Sequence, residues 1–185
     1  SLFENLLIDS CGTDSNSIKT SGFQIEQKSG YGNQIHIKNI SILNSGTGGN
    51  DLTSAGLSIH SSGGTLDSVF INNLKAQDCR NGVILGRAGG SNQNPSYVWI
   101  SESNITDNIK NSLVSYLNHE TEAHNNWWSA NGPLPNDTLK KGSGKIDIIT
   151  WLKFHQDQDT IIHGFQPVNV TTFHEGKYTL QEAID

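Results

Sequence analysis

Asp78 and Asp107 stand 29 residues apart, and the same step separates Phe70 from Trp99. Going back 34 residues from the first member of each pair leads from Asp78 to Asn44 and from Phe70 to His36, and a second such step reaches Ser10 and Leu2. If these steps are the repeat of the fold, each set is a column of outward side chains on neighbouring strands. Two carboxylates one strand spacing apart, about 4.8 Å, can bind Ca²⁺ together with loop carbonyls. They can also form a glycosidase pair, since retaining enzymes separate their carboxyls by about 5 to 5.5 Å. Equally, they can be two turn residues that each bond their own backbone, as Asp and Asn do. The other column runs Leu2, His36, Phe70, Trp99, Glu122. Its three ring-bearing side chains, His36, Phe70 and Trp99, make a strip for a polysaccharide or protein partner, unless an inserted loop such as Arg87 to Pro95 covers it.

Other groups promise less chemistry. His119 and His124 flank Glu120 and Glu122, but the stretch reads as extended and no third ligand is positioned, so no metal centre is expected there. Apart from the Ca²⁺ alternative, no cofactor is expected. Cys11 and Cys79 share a column with Ser45 between them. Two strand spacings, about 9 to 10 Å, exceed the roughly 7 Å that a disulfide spans, so both are expected to be free, buried thiols. Asn-X-Ser/Thr triplets begin at Asn39, Asn104, Asn136 and Asn169. Asn39 should be inaccessible and Asn136, in a Pro-Asn-Asp loop, exposed.

The elements that position these columns are legible as a repeat. Asn5-Leu6-Leu7-Ile8 returns as Asn39-Ile40-Ser41-Ile42 and as Asn73-Leu74-Lys75-Ala76, a step of 34 taken twice. Gly22-Phe23-Gln24-Ile25 returns as Gly56-Leu57-Ser58-Ile59, with a shorter version at Gly82-Val83-Ile84-Leu85. Before each Asn stands an alternating strand: Ile35-His36-Ile37, Val69-Phe70-Ile71, Val98-Trp99-Ile100. The steps shrink from 34 to 29 to 23 residues. A minimal solenoid turn needs on the order of 20 to 25 residues. The longer periods therefore carry surface loops, Thr13 to Thr20 and Thr47 to Thr53. Inward columns follow: Phe3, Ile37, Ile71, Ile100, Ala123; Leu6, Ile40, Leu74, Ser103, Asn126; and Ile8, Ile42, Ala76, Ile105, Trp128. In this register Trp128 points inward, and Trp127 outward, as a sugar platform or as filling at the end of the core.

Composition agrees with a thin core. Of 185 residues 34% are hydrophobic and only 16% charged, and 19 are Gly. Gly, Ser and Asn favour turns while the remaining Ile, Val and Leu favour strands, so the fold class is all-β. A net charge of −6 without a long basic run excludes nucleic acid as a partner. No apolar stretch approaches the roughly 18 residues of a membrane span, so none is expected in this chain. The sequence has no Met, and Ser1 opens no leader, so the chain is expected to be a piece of a longer parent, with further coils before it.

The stacked Asn5, Asn39 and Asn73 resemble the asparagine ladder of right-handed parallel β-helices, over residues 1 to about 130. Asn125-Asn126-Trp127-Trp128-Ser129-Ala130-Asn131-Gly132-Pro133, with Trp151-Leu152 downstream, resembles the Asn-Trp-Trp-Gly, Gly-Pro, Trp-Leu signature that closes such repeats in prokaryotic adhesin-like surface proteins of the pectate-lyase-like fold. Ser129 replaces the first Gly of that pattern. The resemblance implies a right-handed parallel β-helix of about five coils over residues 1–153. A short β-rich extension would span 154–185, with strands at Thr160–Ile162 and Val168–Val170. The stretch Thr179 to Glu182 reads as a capping box opening the helix of a following domain. The resemblance further implies a non-enzymatic, extracellular or cell-surface module binding carbohydrate or a cell-surface ligand, with His36, Phe70 and Trp99 as the contact residues. The alternative is a fragment of a polysaccharide lyase or glycoside hydrolase centred on Asp78 and Asp107, although the Gly-His-Gly, Arg-Ile-Lys and Asp-Asp motifs of pectin-cleaving β-helix families are absent.

Overall fold

Strand-forming residues recur twice in every repeat, and the chain places the two sets in two separate parallel sheets. The computed structural model describes residues 1–16, 19–90, 94–129, 132–152, 164 and 172–174. In chain order the strands are β1 (Leu2–Asp9), β2 (Ser21–Gln27), β3 (Tyr31–Leu43), β4 (Ala55–Ser61), β5 (Thr65–Gln77), β6 (Val83–Leu85) and β7 (Tyr97–Ser101). They continue as β8 (Leu113–Ser115), β9 (Thr121–His124), β10 (Thr138–Lys140), β11 (Ile146–Asp147), β12 (Thr150–Leu152) and β13 (Thr172–His174). The first sheet has the order β1-β3-β5-β7-β9-β11 and the second β10-β8-β6-β4-β2. Both are parallel throughout, while β12 and β13 pair antiparallel. Among the described residues no α-helix forms, and no helix is long and apolar enough to cross a membrane.

The register is the one the repeat dictates. Phe3 lies beside Ile37, Ile37 beside Ile71, Ile71 beside Ile100, and Ile100 beside Ala123. From the second sheet Phe23, Leu57, Val83 and Leu113 form the facing column. Ile37, Ile40, Ile71, Leu74, Leu57 and Leu85 are fully buried between the sheets, each side chain stabilising the fold by about 1.5–3 kcal/mol relative to exposure. The recurring glycine of the second set has a steric reason. A Cβ on Gly56 would fall 2.7 Å from Cys79 Sγ, so Cys79 at the bend can approach this closely only where the second-sheet strand carries glycine near its start.

Where the first-sheet strands bend, the backbone is left-handed. Asn5, Asn39, Asn73, Glu102 and Asn125 have φ between 51° and 56°. Ser10, Asn44, Asp78 and Asp107 form a second column with φ between 48° and 57°. A left-handed non-glycine residue costs roughly 1–2 kcal/mol, least for Asn and Asp. In the first column side chains offset it: Asn39 Nδ2 donates to Asn5 Oδ1 at 3.2 Å and Asn73 Nδ2 to Asn39 Oδ1 at 3.2 Å. A carboxylate cannot donate, so the amide relay does not pass Glu102, which instead accepts from Asn72 Nδ2 at 3.1 Å. Gly164 lies buried against this ladder, its N–H donating to Ser41 Oγ at 2.8 Å. With φ at 99° and Asn39 and Asn73 backbone where a Cβ would stand, only glycine fits.

The loop at residues 47–53 folds over the outer face of the second sheet. Arg80 holds it through Nε to Thr47 O at 3.0 Å and Nη1 to Asp51 Oδ1 at 2.6 Å, and Tyr116 Oη donates to Leu52 O at 2.9 Å. Beneath it Ala55, Ile84, Val114 and Tyr116 form a small second core, with Leu139 at its edge.

Three strands depart from the sequence reading. β8 and β10 are three residues each, too short for alternation to reveal, and β13 pairs with β12 although no repeat links them. The segments Thr160–Ile162, Val168–Val170 and Thr179–Glu182, and Asn169, lie outside the described residues.

Candidate functional site

The aromatic column forms as its spacing requires. Leu2, His36, Phe70, Trp99 and Glu122 are consecutive partners across β1, β3, β5, β7 and β9, and Asp147 on β11 follows Glu122. His36 is exposed, while Phe70, Trp99 and Glu122 are half-buried. The rings do not form one continuous stack. His36 and Phe70 lie parallel, 5.0 Å between centroids and 13° between planes. Phe70 then meets Tyr97 at 5.9 Å and 57°, and Trp99 meets the His124 ring edge-on at 5.2 Å and 75°. The strip is therefore two columns wide, with Tyr97 and His124 beside the expected residues. Both were legible: each stands two positions from a column member on its own strand and so shares its face.

Polar groups border the rings. Burial raises the pKa of the Tyr97 phenol, and the Glu122 carboxylate beside it pushes the same way. His124 Nε2 lies 3.5 Å from Asp147 Oδ2, and Lys145 Nζ lies 3.5 Å from Asp147 Oδ1 and 2.8 Å from Glu120 Oε1. Asn72 Nδ2 donates to Ser101 Oγ at 3.0 Å. At the β1 end an open hollow of about 630 Å³, lined by Leu2, Asn33, Gln34, His36 and Asp67, extends the strip. Such a face can stack a sugar ring or an apolar side chain and hydrogen-bond its edges.

Asp78 and Asp107 are neighbours, with Asp78 N–H donating to Asp107 O at 3.2 Å. Both are exposed and both occupy the left-handed column that begins with Ser10 and Asn44. Asp107 Oδ2 accepts from Gln77 Nε2 at 3.1 Å and Thr106 Oγ1 at 3.2 Å. Among the described residues no three His, Cys, Asp or Glu side chains gather into a group able to hold a metal ion.

Cys11 and Cys79 are both free, but only Cys79 is buried. Cys11 is exposed, which corrects the expectation of two buried thiols: β1 is an edge strand, so Cys11 has a neighbour on one side only. Burial pushes the Cys79 thiol up to about 11. Asn39 is half-buried rather than inaccessible, although its amide is engaged in the ladder. Asn104 is buried with its Oδ1 accepting from Thr106 Oγ1, and Asn136 is exposed as expected. Trp128 is buried at the end of the core and Trp127 is half-buried.

The chain matches no protein-family model, no curated protein and no solved structure.

Proposed function

We propose that residues 1–153 are a right-handed parallel β-helix of about five coils, serving as a non-enzymatic, adhesin-like module of a secreted or cell-surface protein that binds carbohydrate or a partner surface. The observation that carries this reading is the strip on the first sheet, where His36, Phe70, Tyr97 and Trp99 lie on three successive strands with Glu122, His124 and Asp147 following. A glycan offers flat C–H faces for rings to cover and hydroxyls for carboxylates and amides to bind, and this face supplies both kinds of partner. Parallel ladders on either side hold the rings in place, which lowers the ordering cost of binding.

A glycan array probed with the chain and with Trp99→Ala and Phe70→Ala variants tests the proposal. Binding should be lost in both variants while cooperative melting is retained. Undiminished binding in both would end the reading. Turnover of a polyuronate or neutral glycan that Asp78→Asn abolishes would replace it with the lyase or hydrolase alternative at Asp78 and Asp107.

A further inference from the structure

The roofed face of the second sheet carries a half-open cavity of about 260 Å³ that the aromatic strip does not use. At about 30 Å³ per water it has room for roughly nine waters, the size of a small metabolite. Ser58 and Ile84 form its floor, Leu52 and Ala88 contribute apolar wall, and Lys19 and Arg87 line it with positive charge. The wall that carries Leu52 is fixed before any ligand arrives. Arg80 and Tyr116 bind it as described, Asn81 Nδ2 donates to Asp51 O at 2.8 Å, and Lys110 Nζ lies 3.1 Å from Asp51 Oδ2.

A buried imidazole beside the cavity reports its charge. His60, only 2% exposed, lies next to Gly86, whose N–H donates to Ile59 O at 2.8 Å and whose backbone lines the cavity. His60 Nε2 is 3.6 Å from Glu26 Oε1, and its buried Nδ1 has no hydrogen-bond partner among the described residues. Burial lowers the His60 pKa, Lys19 and Arg87 push it further down, and Glu26 opposes them. Lys28 Nζ, 3.7 Å from Glu26 Oε2, shares that carboxylate. Both cations that line the cavity thus act on this one buried imidazole.

We propose that this cavity binds a small organic anion, a carboxylate on a compact, partly apolar body, with the carboxylate between Lys19 and Arg87 and the body against Leu52, Ile84 and Ala88. The Ser58 hydroxyl on the floor is a further hydrogen-bonding group within reach of such a ligand. Because the site lies on the opposite sheet from the strip, it stands or falls independently of glycan binding.

Titration calorimetry on the intact chain with benzoate, its uncharged analogue benzamide, and inorganic phosphate tests the proposal. Benzoate should bind at least about tenfold more tightly than benzamide, more tightly than phosphate, and less tightly as salt is added. Lys19 and Arg87 are exposed, so Lys19→Gln with Arg87→Gln should leave melting unchanged and weaken benzoate by about tenfold or more. If the pair fails to fold, Lys19→Gln alone should still weaken benzoate measurably. Absent benzoate binding, equal affinity for benzamide, phosphate binding as tight as benzoate, or undiminished binding in folded variants would overturn it.

Discussion

The two sheets present the same kind of apolar column to the core between them but opposite outer faces to the surroundings. On the first sheet the outward column Leu2, His36, Phe70, Trp99 is exposed or half-buried, with Leu2 61% exposed. On the second sheet the outward column Ser58, Ile84, Val114 is buried, on the face over which the 47–53 loop folds. Cover differs at equivalent positions: Leu2 and the rings of the first sheet stand where water reaches, while Ser58, Ile84 and Val114 stand where it does not. An outward position in a parallel sheet is thus not a solvent position by default. It becomes one only where no insertion folds back over it.

The sharpest way to break this contrast is to place the same charge on both outer faces. Val114→Asp would bury a carboxylate among Ala55, Ile84 and Tyr116 and should cost about 4 kcal/mol or more, enough to unfold a marginal domain. His36→Asp, equally outward, should cost less than about 1 kcal/mol. Equal losses in denaturant melts of the two variants would mean that the faces do not differ.

A second contrast lies within one column, between Cys79 inside and Cys11 at the edge. The Cys79 thiol is pushed up to about 11, whereas an unfolded thiol titrates near 8.5. Above pH 8.5 the unfolded chain has released a proton that the folded chain still holds. Stability from this group is therefore complete below pH 8.5 and is lost as pH rises toward 11, by on the order of 3 kcal/mol. Melts across that range should show the fall in the parent and a shallower one in Cys79→Ala. Native alkylation should modify Cys11 and spare Cys79.

The smallest effect concerns the roof. Tyr116→Phe removes the bond to Leu52 O and should cost about 1 kcal/mol, read as a lowered melting temperature. The matching change on the open face, Tyr97→Phe, leaves no such backbone anchor unpaired and should cost less.

What could be read from the chain was whatever repeats. Asn5, Asn39 and Asn73 recur at a fixed step because each faces the same steric demand at its bend, so the ladder, the inward columns and the His36-Phe70-Trp99 register were all visible. What could not be read was whatever occurs once. The clamp of Arg80 on the 47–53 loop joins residues of different passes through side chains that follow no period. The cavity under that loop depends on the clamp and was equally invisible. Ring geometry escaped for another reason: register puts Phe70 beside Trp99, but side-chain torsions turn Phe70 toward His36 and Tyr97 and bring Trp99 against His124.

Gly164 rests on the asparagine ladder and binds Ser41, 123 residues earlier in the chain. A ribosome adding about 5–20 residues per second would need on the order of 6 to 25 s between making one partner and the other. For that interval the nascent protein would carry its row of asparagines without this backbone cover. A chain stalled or truncated before residue 164 would keep the row without that cover for as long as it survives.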